Sequence, residues 1–257
     1  MIHNPIIDAM MARKSIRKYT DQKLSDEIIE TIVRAGQQAP FAAQLCSLIL
    51  TRNEKIPFGA ALLFTICVDY YRLEKIMQKR NWKTVTNDLS LLVFGMQDAS
   101  LMGENMVIAA ESLGLGSCYL GMAPYVAGKL AKKHKLPKHV FPLVQLVIGY
   151  PDEDPPPRPR YPIDFTMFED EYPAITDEKM AKAMKVMDDG YQSQDYYKKL
   201  DAKITLEVKK EETFDYSNYG WTEHMGRKWG QWFGSPRDIL VEFETCGFYL
   251  TKENKPE

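Results

Sequence analysis

Four cationic side chains and one hydroxyl fall within six residues at Arg13-Lys14-Ser15-Ile16-Arg17-Lys18. A guanidinium presents a planar fork of donors that matches phosphate or carboxylate in bidentate fashion, and a serine hydroxyl adds a short donor beside it. Alone, a short basic run is most often solvated surface. Two further features converge with this one: a second guanidinium pair, Arg158 and Arg160, and a small-residue turn, Gly114-Leu115-Gly116-Ser117. Together they suit one phosphorylated small molecule.

Other chemistries find less support. His134 and His139 lie five apart around Leu136-Pro137, miss helical ligand spacing and have no carboxylate beside them in the sequence, so they read as surface histidines and no metal is expected. Cys46, Cys67, Cys118 and Cys246 form no C-x-x-C pair and read as reduced thiols, with Cys67 and Cys118 packed in apolar strands. Gly114-x-Gly116 follows a helix and lacks a third glycine, so it is no dinucleotide fingerprint. The aromatic stripe Trp221, Trp229, Trp232 and Phe233 could stack on a ligand, but such stripes are more often core or interface.

The elements that must position the basic residues are readable in outline. The chain has 257 residues, 45% apolar and 26% charged, enough for one large core with an extension; a net charge of −2 rules out a global basic field for nucleic acid. No run approaches the roughly 18 to 20 apolar residues of a membrane span, and the first ten residues do not read as a signal peptide, so a soluble cytoplasmic protein is expected. Asn4-Pro5 opens a short helix that delivers the basic run at its end. Ser25-Asp26-Glu27 opens a second, ending near Gln38 ahead of Pro40. Residues 48–51, 62–68, 117–121 and 141–149 read as strands, and 96–113 and 126–134 as helices, giving a mixed α/β core. The helix over 96–113 is apolar on more than one face, which implies burial or a subunit interface. Five prolines in the nine residues from Pro151 to Pro159 make a stiff extended segment, after which 177–200, 222–233 and 236–245 read as helices.

Several of these pieces, in order, resemble the nitroreductase/flavin reductase family. They are Arg13-x-Ser15-x-Arg17, Ala39-Pro40, Ala109-Ala110-Glu111-Ser112-Leu113-Gly114-Leu115-Gly116-Ser117, Gly149-Tyr150-Pro151 and Arg158-Pro159-Arg160-x-Pro162. The tail, with Trp221-Thr222-Glu223-His224 and Ser235-Pro236-Arg237, is similar to the larger NADPH-preferring branch. The resemblance implies an α+β fold, a mixed sheet flanked by helices with a helical C-terminal extension, divided here as 1–173 and 174–257. It also implies a homodimer with shared FMN sites, and hydride transfer from NADPH or NADH to nitroaromatic, quinone or flavin acceptors by a ping-pong mechanism. No side chain need act as acid or base, because the flavin carries the chemistry. A flavin store or redox sensor with little turnover is the rival reading.

Carried over by the resemblance, Arg13, Lys14, Ser15 and Arg17 reach the phosphate, ribityl chain and pyrimidine edge of FMN, while Arg158 and Arg160 hold its phosphate. Tyr119, Leu120 and Gly121 lie by the ring, and the loop of Pro40, Phe41 and Gln44 comes from the partner subunit. Arg237 is assigned to the 2′-phosphate of NADPH. Two departures stand out: Phe41-Ala42-Ala43-Gln44 replaces a Ser-x-x-Asn pattern, and Met122-Ala123-Pro124 follows Gly121 where the smaller branch has Pro-Glu-Gly.

Overall fold

The computed structural model describes residues 1–207, 209–231 and 236–250, apart from the side chains of Pro236 and Arg237. They divide into two compact units, Met1–Pro155 with Ser235–Glu257, and Pro156–Gly234. The sequence reading instead drew the line at 173/174.

The first unit opens with α1 (Pro5–Ala12), whose Asn4 side chain accepts the amides of Ile6 and Ile7, with Pro5 at the position where no amide is needed. In α2 (Asp26–Gln37) Ser25 caps the amide of Ile28, and Ile29, Ile32 and Gly36 form the buried stripe. A central sheet follows, in the order β1-β2-β4-β3, built from β1 (Cys46–Thr51), β2 (Leu62–Asp69), β3 (Gly116–Leu120) and β4 (Val140–Gly149). Every residue of β2 is buried, as its unbroken apolar run requires. The four strands pair antiparallel, and among the described residues parallel pairing is confined to one bridge between Ser15 and Ser117. Alternation of strands and helices places helices on a sheet; it does not set strand direction. The β2–β4 ladder slips between Ile66 and Cys67, where Pro142 has no amide to donate.

The long helix α4 (Asp88–Ser112) starts eight residues before the expected one, capped by Asn87 at the amide of Ser90. It packs with α2 over one sheet face: Ile32, Phe64, Ile66, Met106, Ala110, Leu146 and Ile148 share that core. The α2–α4 approach depends on Gly36, where a Cβ would meet Met106 Cγ at 2.6 Å. Gly114, at φ +74°, then turns the chain back into β3. Two helices complete the sheet's surroundings, α3 (Tyr71–Lys79), which the sequence reading missed, and α5 (Ala127–His134). The last helix, α9 (Pro236–Thr245), returns to this unit, where Phe243 packs on Phe141 with ring centroids 4.5 Å apart.

The second unit holds α6 (Asp177–Gln192), α7 (Tyr196–Lys199) and α8 (Trp221–Gly230). The Asp188 carboxylate joins α6 to the start of α8 through the amide and hydroxyl of Thr222, at 2.8 and 2.6 Å. Tyr197 stacks on His224 at 4.4 Å, and Arg227, only 4% exposed, is paired with Glu212 and Glu223, both at 2.7 Å. This stretch therefore has a small core of its own. The expected helix over 222–233 ends at Gly230, and Trp232 and Phe233 lie outside the described residues.

Candidate functional site

The basic run leaves α1 in an extended conformation, with Arg13 at ψ 133°, and lies along the outer edge of β3. Ile16 donates its amide to the Ser117 carbonyl at 2.9 Å and buries its side chain against Gly116, where a Cβ would come within 2.6 Å of Ile16 Cγ1. Ile16 and Tyr19 cover the sheet face opposite α4, with Leu63, Cys118 and Val147. Residues 150–154 zip against the run. Thr20 bonds the Tyr150 carbonyl and Asp152 the Lys18 carbonyl, both at 2.9 Å, and the Tyr19 hydroxyl closes the turn on Ile16.

That zipper sorts the cations. Lys14 pairs with Asp154 and Lys18 with Asp152, while Glu153 accepts the backbone amide of Arg17. The guanidiniums of Arg13 and Arg17, by contrast, make no hydrogen bond or ion pair within the described residues. Arg13 lines a pocket with Met10, Glu104, Val107, Ile108 and Glu111. Burial pushes the Glu111 carboxyl above its usual range, against the opposing pull of Arg13, and its oxygen accepts the Ser117 hydroxyl at 3.4 Å.

Pro40, Phe41 and Gln44 lie on the loop that closes α2, and three amides of that loop converge on one carboxylate. Ala42, Ala43 and Leu45 donate to Asp98 of α4 at 2.6, 3.2 and 2.8 Å. Arg72, at the start of α3, pairs with Asp69 at 2.9 Å and donates to the carbonyls of Gln44 and Cys46. Gln44 sits in the left-handed region at φ +54°, and Phe41 is 54% exposed at the rim of a pocket shared with Gln37, Pro40, Arg72 and Met102. This loop meets α4 at Asp98 and Arg13 meets it over Glu104 to Glu111, which is about 10 to 20 Å further along the helix at 1.5 Å per residue. Within one chain the two groups are not neighbours.

Tyr119 and Leu120 end β3, and Gly121 follows exposed. The Tyr119 ring lies on Gly103, where a Cβ would come 2.8 Å from its hydroxyl, and burial raises that phenol far above its ordinary range. Arg158 and Arg160 belong to the second unit. Arg158 donates to Gln194 at 2.6 Å and lies 3.9 Å over the Tyr196 ring, and Arg160 donates to the carbonyls of Arg158 and Pro159. The Arg237 side chain lies outside the described residues.

Sequence reasoning passed over Asp98, Arg72 and Glu111. Asp98 had a signal, a carboxylate between Met96 and Ala99 in a helix with no broad polar face. One reading needs correction: His139 does have a carboxylate partner, Glu74 at 3.3 Å, brought from α3 by the fold. His134 has a buried Nε2 with no hydrogen-bond partner among the described residues, and burial lowers its pKa. The thiols match expectation, since all four are free and burial lifts Cys67 to about 12. Among the described residues no cluster of three metal-ligating side chains occurs, and no helix is long and apolar enough to cross a membrane.

Comparison with known proteins adds to this geometry. The family model described as "Nitroreductase family" matches residues 10–56 and 48–150. An oxygen-insensitive NADPH nitroreductase of Salmonella typhimurium is 30% identical over 194 residues, covering 70% of this chain and 79% of that protein. An FMN reductase (NADPH) of Bacillus subtilis is 30% identical over 192 residues, 68% of this chain and 77% of that one. The solved structure of the NADPH:FMN oxidoreductase of Vibrio harveyi complexed with NAD+ superposes with a TM-score of 0.74 at 25% identity, over 96% of this chain and 100% of that chain.

Proposed function

Because the chain belongs to the nitroreductase family, we propose that it is an NAD(P)H-dependent FMN oxidoreductase that passes hydride to small-molecule acceptors. The residues present fit the cofactor. Lys14 and Lys18 are neutralised by Asp154 and Asp152, whereas Arg13 and Arg17 keep their donor forks open beside the Ser15 hydroxyl, which suits a phosphate of close to two charges. When bound, FMN supplies the ring that takes hydride from NAD(P)H and hands it to a nitroaromatic, a quinone or a free flavin.

The chain's own residues bind and orient. Arg13 and Ser15 hold the phosphate and ribityl chain, with Lys14 held beside them by Asp154, and Arg17 places positive charge at the pyrimidine edge. Tyr119, Leu120 and Gly121 form the floor by the ring. Protons come from water, since no side chain here needs to act as acid or base. Pro40, Phe41 and Gln44 complete the site from a partner subunit, a reading supported by the different stretches of α4 that hold that loop and Arg13, about 10 to 20 Å apart along the helix. A second copy also accounts for the exposed apolar side chains of α4, Leu89, Val93, Phe94 and Leu101, and of α1, Ile6, Met10 and Met11. The tail helices α6 to α8 wrap that partner, and Arg237, at the start of α9, serves the 2′-phosphate of NADPH.

Steady-state NADPH oxidation at several fixed concentrations of a quinone tests the mechanism. Parallel double-reciprocal lines are expected for ping-pong transfer. Intersecting lines overturn that order, and FMN binding without turnover of any acceptor overturns the enzyme in favour of a flavin store.

A further inference from the structure

We propose that Asp98 is a positioning residue that presets the Pro40–Leu45 loop for contact with the cofactor, an inference that rests on the FMN reading above. Asp98 is 2% exposed in the middle of α4, where desolvating a carboxylate is unfavourable unless its oxygens are satisfied. They are satisfied by the amides of Ala42, Ala43 and Leu45, three donors from one loop on one anion. Arg72 grips the same loop through its carbonyls, at Gln44 and Cys46. Amides are held by an anion and carbonyls by a cation, so the peptide planes around Gln44 are fixed in both directions.

The conformation so fixed is one a free chain would avoid. Gln44 at φ +54° occupies a region disfavoured for residues with a Cβ, and such strain persists only where surrounding contacts determine it. The held loop presents Phe41 and Gln44 at the rim of the pocket, so the cofactor meets a surface already ordered, and the ordering is not charged to binding. Asp88 supplies the contrast on the same helix. It is 8% exposed and accepts the amide of Tyr249 at 2.7 Å, away from the loop.

The experiment is an FMN titration of the apoprotein, with amide hydrogen exchange on the cofactor-free forms of wild type, Asp98→Asn and Asp88→Asn. Asp98→Asn keeps the shape but loses the charge, and is expected to weaken FMN binding by about ten- to a hundredfold, the range of one or more charge-assisted hydrogen bonds. Exchange at Ala42, Ala43 and Leu45 should quicken without FMN present. Asp88→Asn should stay within about twofold of wild type in FMN affinity. An unchanged affinity for Asp98→Asn, or an equal loss in Asp88→Asn, overturns the proposal while leaving the FMN reading intact. Wild-type protein that binds no FMN overturns both. Should Asp98→Asn not fold, Arg72→Gln, at a side chain 55% exposed, tests the loop from its other side, and unchanged FMN affinity there is equally fatal.

Discussion

Arg13 and Arg17 differ from the lysines beside them in what they leave unmet, and this sets the expected effect of truncating them. A hydrogen bond to a charged group contributes roughly 1.5 to 3 kcal/mol, so Arg13→Ala should weaken FMN binding by about one to two decades in a fluorescence titration. Arg17→Ala should slow flavin reduction by NADPH in stopped flow more than it weakens retention. A different pair governs acid stability. The Arg227 guanidinium, helped by the Phe214 amide, holds the Glu212 carboxyl down at about 2, well below its unfolded value. Between those two values the unfolded chain binds the extra proton, so the stability that Glu212 contributes is present above its unfolded pKa and lost as pH falls towards 2. Urea melts at pH 6 and pH 3 should therefore show a smaller acid loss in Glu212→Gln than in wild type. At this scale legibility followed sequence distance. The basic run was readable because its donors are consecutive, while Asp98 meets amides 53 to 56 residues away and Glu74 reaches His139 across 65.

Elements were legible where a cap and a periodic face coincide. Asn4, Ser25 and the run of β2 each announce their element, and each was found within a residue or two. Helix α3 is amphipathic but has no side-chain cap, so no start signal announces it. The first turns of α4 were missed because Leu91, Leu92, Val93 and Phe94 run without a period, and such a run has no single buried side. Leu92 is buried while Val93 and Phe94 stand 45% and 49% exposed, which is the division expected of a helix between its own core and a second copy. Phe94→Glu should accordingly shift sedimentation from dimer to monomer at micromolar concentration and release FMN in the same samples. A monomeric variant that keeps its FMN would place the whole site in one chain.

For the whole molecule, the composition break at Pro151 marked a real change of structure, but its extent was not readable. The stretch Pro156–Gly234 closes on itself through Tyr197, His224, Arg227 and Glu212, contacts that join residues far apart in sequence, and α9 returns to the first unit through Phe243 and Phe141. The proposed function rests on bound FMN. An absorption spectrum of the purified protein, taken anaerobically before and after NADPH, therefore bears most directly on it. Near-stoichiometric FMN absorbance that bleaches with NADPH and recovers on adding a quinone is expected. Colourless protein that takes up no added FMN, or bound flavin that NADPH leaves oxidised, would contradict an FMN oxidoreductase.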